Sequence, residues 1–113
     1  MSRYSVAILG ASGLVAQRLQ ELLFGHPFFD VVAIAGSPSS VGLMFEEIEW
    51  RLETRRPEYD ILVCSMSDIP DVDIAFSALP SNVAEVVEPS LVARGIHVFS
   101  NASAFRRIAG IPL

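Results

Sequence analysis

The stretch Gly10-Ala11-Ser12-Gly13-Leu14-Val15-Ala16 constrains this chain more than any other. It follows an apolar run, Tyr4–Leu9, and precedes a segment with helical spacing, so it reads as a turn from strand to helix. Its spelling, G-x-x-G-x-x-A, is a variant of the dinucleotide fingerprint, and each small residue has its own job. Gly10 permits the tight turn, Gly13 lets backbone approach a pyrophosphate, and Ala16 is small enough for the helix to lie against the sheet. Unbonded N–H groups at the helix start, with the dipole behind them, complete an anion site. A glycine pattern alone also suits a ligand-free turn. The strand before it, the helix after it and the N-terminal position favour a cofactor.

The rest of the chain alternates in the same way. Val15, Leu19, Leu22 and Leu23 share one helical face, Gly25 caps that helix and Pro27 stops it. Phe29–Ala35 is expected to be the second strand, residues 59–64 the third, 72–77 the fourth and 96–100 the fifth. Residues 44–51 read as a short helix or an irregular crossover. A further helix is predicted after Pro80, with Asn82 and Glu85 at capping-box spacing and Val83, Val87 and Leu91 as its apolar stripe. Gly95 is its expected C-cap, and Pro89 predicts a kink or a restart. Alternation of this kind implies an α/β fold: a Rossmann-like, doubly wound parallel sheet with the first strand central. The 113 residues suit a single domain. The apolar runs fit strands buried on both faces and fall far short of the ~20 residues that span a bilayer, so no membrane partner is expected.

Composition removes several function classes. A net charge of −5 argues against a nucleic-acid partner. The basic residues are all arginine, which removes the P-loop and Schiff-base readings, since both need a lysine amine. Cys64 is the only cysteine, so no internal disulfide forms and a reducing cytoplasm is the simplest compartment. Two histidines do not make a structural metal site, and no metal is expected.

The exit of the second strand selects the dinucleotide. An acid there would bind ribose hydroxyls and favour NAD. Asp30 lies at a tempting spacing but opens the strand instead of closing it. The exit, Ala35-Gly36-Ser37-Pro38-Ser39-Ser40, carries no acid and three hydroxyls. NADP is favoured, with NAD possible.

Four segments then converge: Val6-Ala7-Ile8-Leu9-Gly10-Ala11-Ser12-Gly13; Gly25-His26-Pro27; Asp73-Ile74-Ala75-Phe76-Ser77-Ala78-Leu79-Pro80-Ser81; and Ser100-Asn101-Ala102-Ser103-Ala104-Phe105-Arg106. Over nearly its whole length the chain resembles the aspartate-semialdehyde dehydrogenase family. The first segment is shared by many nucleotide-binding families; the last two are far more specific. The resemblance implies reduction of β-aspartyl phosphate to aspartate semialdehyde with NADPH and release of phosphate, serving lysine, methionine and threonine synthesis. It implies a cysteine nucleophile and an acid/base histidine in a second domain, which this chain is expected to stop short of; no catalytic residue is assigned within it. The chain is accordingly expected to be inactive alone, and the complete enzyme to be a cytoplasmic homo-oligomer acting on a small acyl phosphate or semialdehyde.

Carried over by position, Gly10, Ser12, Gly13, Leu14 and Val15 would wrap the pyrophosphate, and Ser37, Ser39 and Ser40 would face the adenosine 2′-phosphate. Ser77, Leu79 and Pro80 would border the nicotinamide with Asn101 nearby, and Arg106 would bind the substrate's phosphate through its planar fork. The basic residues that relatives often carry near Ser39 and Leu43 are absent.

A stand-alone, non-catalytic nucleotide-binding module is the alternative reading. An N-acetylglutamyl-phosphate reductase is a third, opposed by the Ser103-Ala104-Phe105-Arg106 spelling. A short-chain-type reductase needs Tyr-x-x-x-Lys, and there is no lysine. Cys64, between Val63 and Ser65, is expected to be a small apolar residue of the third strand and not the nucleophile. His26 is expected to be solvated, His97 packed or exposed, and Phe24, Phe28, Phe29 and Phe45 core.

Overall fold

A computed structural model of the chain describes residues 3–100. Asn101 and Arg106 lie outside the described residues. Four strands, β1 (Tyr4–Leu9), β2 (Phe29–Ala35), β3 (Ile74–Ser77) and β4 (His97–Ser100), form one parallel sheet in the order β2-β1-β3-β4. Helix α1 (Leu14–Leu23) joins β1 to β2, and α2 (Ser81–Ala93) joins β3 to β4. The chain winds from β1 outward to β2, returns to the other side of β1 at β3, and winds outward again. The winding reverses between β1 and β3, as expected for a doubly wound sheet with β1 in its interior.

β1 shows why. Val6, Ala7, Ile8 and Leu9 are all 0% exposed, which requires cover on both faces. Ala7 and Leu9 join Ala33, Ala35 and Ala75 under Ala84, Val87 and Leu91 of α2. Val6 and Ile8 join Ile34, Phe45 and Ile48 on the face that takes Leu23 of α1. The alternation is the strand period of two. β2 departs from it at Val32, where the register with β1 skips a residue and leaves that side chain exposed.

Several expectations need correction. Residues 59–64 do not form a full strand among the described residues. Leu43 and Phe45 exchange backbone bonds with Val63 and Ile61 in an antiparallel pairing, and only Cys64 reaches β2, donating its N–H to Ile34 at 3.0 Å. The run's hydrogen bonds are committed to the crossover and not to the sheet edge. The crossover itself holds a short 3-10 helix, Phe45–Glu47. On α1 the buried face is Ala16, Gln17, Gln20 and Leu23, whereas Leu14, Val15 and Leu22 are exposed. Of the expected stripe, Leu23 is buried and Leu19 packs partly against the core, whereas Val15 and Leu22 face solvent. α2 begins at Ser81 with Pro80 as its N-cap, so Asn82 already lies in the first turn and the Asn82–Glu85 box does not cap it. The helix runs unbroken past Pro89. Of the four phenylalanines, Phe45 is core, Phe29 is half-buried, and Phe24 and Phe28 are exposed.

Phe45 anchors the crossover. Its ring meets Tyr59 edge-on at 5.2 Å, and the Arg56 guanidinium lies 5.8 Å from its centroid. Arg56 also donates to the carbonyls of Phe45, Glu46 and Ile48, ending the 3-10 turn with a cation. Among the described residues no helix is long and apolar enough to cross a membrane, and no His/Cys/Asp/Glu cluster could hold a metal ion.

Candidate functional site

Every strand of this sheet points its carboxyl end the same way, and the loops leaving β1, β2 and β3 converge there. They enclose a cleft of about 860 Å³. Residues 10–13 form its floor, Gly36, Ser37, Pro38 and Val41 one wall, Ser65, Met66 and Ser67 a second, and Ala78, Leu79, Pro80 and Val83 a third. The volume suits a large organic ligand, and the place, outside the strand ends where the winding reverses, is where α/β sheets bind theirs.

The loop after β1 is held by size. Gly10 has φ +129°, and a Cβ on it would lie 2.8 Å from the Cβ of Ala16. Gly10 and Ala16 are therefore small for one reason, the contact between turn and helix. Gly13 differs: it is the N-cap of α1 with ordinary extended angles, and a Cβ there would meet nothing within 4 Å. That space belongs to the cleft. No side chain caps the helix start and no acid stands in its first turn, so its N–H groups and dipole remain available to an anion. Gly36, at the exit of β2, is pressed from three sides: a Cβ would lie 2.8 Å from Val63 Cγ1, 3.0 Å from Ser40 Cβ and 3.3 Å from Ala11 Cβ. The open space over Gly13, beside an uncapped helix N-terminus, fits a pyrophosphate-bearing ligand.

The residues singled out in the sequence are only partly brought together. Gly10, Ser12, Gly13, Ser37, Leu79 and Pro80 line the cleft. The side chains of Leu14 and Val15 are exposed outside the lining, leaving only their backbone for the role expected of them. Ser39 is exposed and shares a 3.0 Å hydrogen bond with Ser37, while Ser40 is buried beneath the turn. Ser77 is 0% exposed, paired in register with Leu9 and Ser100, and does not line the cleft. It sits one residue too early on the strand to face a ligand.

The wall at residues 65–67 escaped sequence reasoning. Ser65 bonds Ser67 at 2.9 Å and donates to Asp68 at 3.0 Å, making a tight turn whose backbone positions Met66 on the cleft. Only the run of small polar residues after Cys64 hinted at a turn. Gln17 and Gln20, both fully buried behind the loop, were also missed, because polar residues on a helix read as a solvent face.

Cys64 lies just before this wall. It is partly buried against the core on the α2 side, and burial raises its thiol pKa, with the Asp68 charge acting in the same direction against an opposing backbone hydrogen bond. His26 and His97 stand at the opposite, amino-terminal edge, before β2 and at the start of β4. His26 is not simply solvated: its Nδ1 accepts the Phe28 N–H at 3.1 Å and its ring lies 4.8 Å from that of Phe29. His97 is exposed.

Comparison with known proteins bears on the same residues. Residues 5–113 match the family described as semialdehyde dehydrogenase, NAD binding domain. An aspartate-semialdehyde dehydrogenase of Archaeoglobus fulgidus is 42% identical over 115 residues, covering 98% of this chain and 34% of that protein. The crystal structure of aspartate-semialdehyde dehydrogenase with NADP from Candida albicans superposes with a TM-score of 0.87 at 34% identity, over 98% of this chain and 33% of that one. A Rex-family repressor, at 20% identity and a TM-score of 0.69 over 90% of this chain and 46% of that one, shares the fold alone. The chain spans about a third of the length of the curated relatives it matches.

Proposed function

The chain belongs to the semialdehyde dehydrogenase family as its NAD-binding domain, and from that premise we propose that it is the NADP-holding part of an enzyme interconverting aspartate semialdehyde and its acyl phosphate. The cleft at the carboxyl ends of β1 and β3, floored by residues 10–13, carries this reading. The match to aspartate-semialdehyde dehydrogenases over nearly the whole chain supports the substrate class.

Within that reading the residues divide the ligand between them. Backbone N–H groups of residues 12–15 hold the pyrophosphate at the uncapped start of α1. Ser37, with Ser39 bonded to it, faces the adenosine ribose and its 2′-phosphate. Leu79 and Pro80 border the nicotinamide and keep water from one side of it; Asn101 is assigned to the same part of the cofactor. Arg106 binds the substrate's phosphate; Asn101 and Arg106 take these roles from the family resemblance alone. When bound, the nicotinamide supplies hydride exchange with the aldehyde carbon. This chain's own part is to bind, orient and exclude water. The acid-free exit of β2 gives the preference for NADP, because a carboxylate there would repel the extra phosphate. The complete protein works as a homo-oligomer in the cytoplasm.

The test is calorimetric titration of the 113-residue chain with both cofactors. NADP is expected to bind about tenfold or more tightly than NAD, one charge-assisted hydrogen bond being worth that much. Equal or tighter NAD binding overturns the assignment of the Ser37 turn.

A further inference from the structure

Two buried amides stand behind the loop with no part in the cleft lining. Gln17 and Gln20 of α1 are both 0% exposed, and a buried amide is costly unless it is bonded. Gln20 Nε2 donates to the carbonyl of Gly10 at 3.0 Å and to that of Ala11 at 3.2 Å. Gln17 Nε2 donates to the Glu49 carbonyl at 2.7 Å and approaches the Ala11 carbonyl at 3.4 Å, while its Oε1 accepts the Arg51 N–H at 2.8 Å. Gln17 therefore ties α1 to the crossover, and Gln20 is turned almost wholly to the loop. Gln20 Oε1 has no partner among the described residues. The opposite orientation of that amide would set its oxygen against two carbonyls, so donation to the loop defines its position.

In a trans peptide the C=O and N–H point in opposite directions, and no peptide among the described residues is cis. A Gly10 carbonyl directed inward at Gln20 turns the Ala11 N–H the other way, and an inward Ala11 carbonyl does the same for Ser12. Ala11 and Ser12 both line the cleft. Among the described residues neither N–H is taken by a backbone carbonyl. Glycine at position 10 leaves this segment free to flip, and a flipped plane would show an anion a carbonyl oxygen in place of an N–H.

We propose that Gln20 is a positioning residue of the dinucleotide loop: its buried amide holds the Gly10 and Ala11 carbonyls inward and so aims the Ala11 and Ser12 N–H groups at the pyrophosphate. The inference rests on the cofactor reading above. It separates ligands with a pyrophosphate from those without one.

The experiment titrates wild type, Gln20→Met and Gln20→Glu with NADP and with adenosine 2′-monophosphate, which lacks the pyrophosphate. Folding is checked by circular dichroism. Gln20→Met keeps the shape and removes the donor; NADP should bind about ten- to a hundredfold more weakly, with the monophosphate unchanged. Gln20→Glu adds a pH signature. Its buried carboxyl titrates above the usual range, and when ionised it repels both carbonyls. When protonated it donates again, so NADP affinity should recover as pH falls, a trend wild type does not share. If Gln20→Met does not fold, this recovery carries the test. Undiminished NADP binding by a folded Gln20→Met, a parallel loss of both ligands, or a pH-independent Gln20→Glu overturns the proposal. A wild-type chain that binds the monophosphate but not NADP overturns it too. Wild type binding neither ligand would instead show that the cofactor reading fails, and the proposal with it.

Discussion

A Gly13→Val chain keeps its fold and loses dinucleotide binding. At φ −74° and ψ 154° Gly13 has angles open to any residue, and a Cβ there meets nothing within 4 Å. Valine is a poorer N-cap than glycine, a cost of about 1 kcal/mol. The new side chain would project into the space over the start of α1, where an anion must come within hydrogen-bonding distance of the N–H groups. Losing two charge-assisted bonds weakens binding by about a hundredfold or more. Gly10→Ala should behave in the opposite way. Its φ of +129° is strained for alanine, and the added Cβ would lie 2.8 Å from that of Ala16. Backbone strain and overpacking together cost roughly 2–5 kcal/mol of stability. Thermal melts and NADP titrations of the two variants read this contrast. NADP binding by Gly13→Val at wild-type strength, or an unchanged melt for Gly10→Ala, would show that the two glycines have been misassigned.

The second large effect is an absence of turnover. The chain by itself is expected neither to reduce acyl phosphates nor to oxidise semialdehydes. Nucleophilic catalysis through sulfur needs a thiolate held against the substrate and a base to form it. Cys64 is the only thiol in the sequence. Burial and the Asp68 charge keep it protonated, and it lies outside the cleft lining. His26 and His97 stand at the far edge of the sheet from the cleft, so neither reaches it. The assay follows NADPH absorbance with NADP, phosphate and aspartate semialdehyde, for wild type beside Cys64→Ser. Flat traces for both are expected. Turnover that vanishes on changing Cys64 would make that cysteine catalytic and place it in the site.

What could be read from the sequence was set by residue size and chain order. Gly10 and Ala16 declare their contact because only small residues fit it, and the apolar run Val6-Ala7-Ile8-Leu9 declares a strand covered on both faces. What could not be read depends on where backbone bonds and buried amides go. Residues 59–64 have strand composition, yet their partners are Leu43 and Phe45, and composition does not name a partner. Gln17 and Gln20 look solvent-facing, yet the loop carbonyls need donors, so both are buried beside Ala16 and Leu23 while Val15 and Leu22 are left exposed. Ser37, Ser39 and Ser40 look equivalent, yet the turn sends one to the cleft, one to solvent and one inward. Ser77 shows the strand period at work: its neighbour Ala78 reaches the cleft and it does not.

The most direct measurement is the amide NMR spectrum of the isotopically labelled chain during titration with NADP. The largest shifts are expected on Ala11, Ser12, Gly13, Gly36, Ser37 and Ala78, around the carboxyl ends of β1, β2 and β3. Shifts centred instead on the smaller cavity at the amino-terminal edge, beside Tyr4, Asp73 and His97, or no shifts at millimolar NADP, would contradict it.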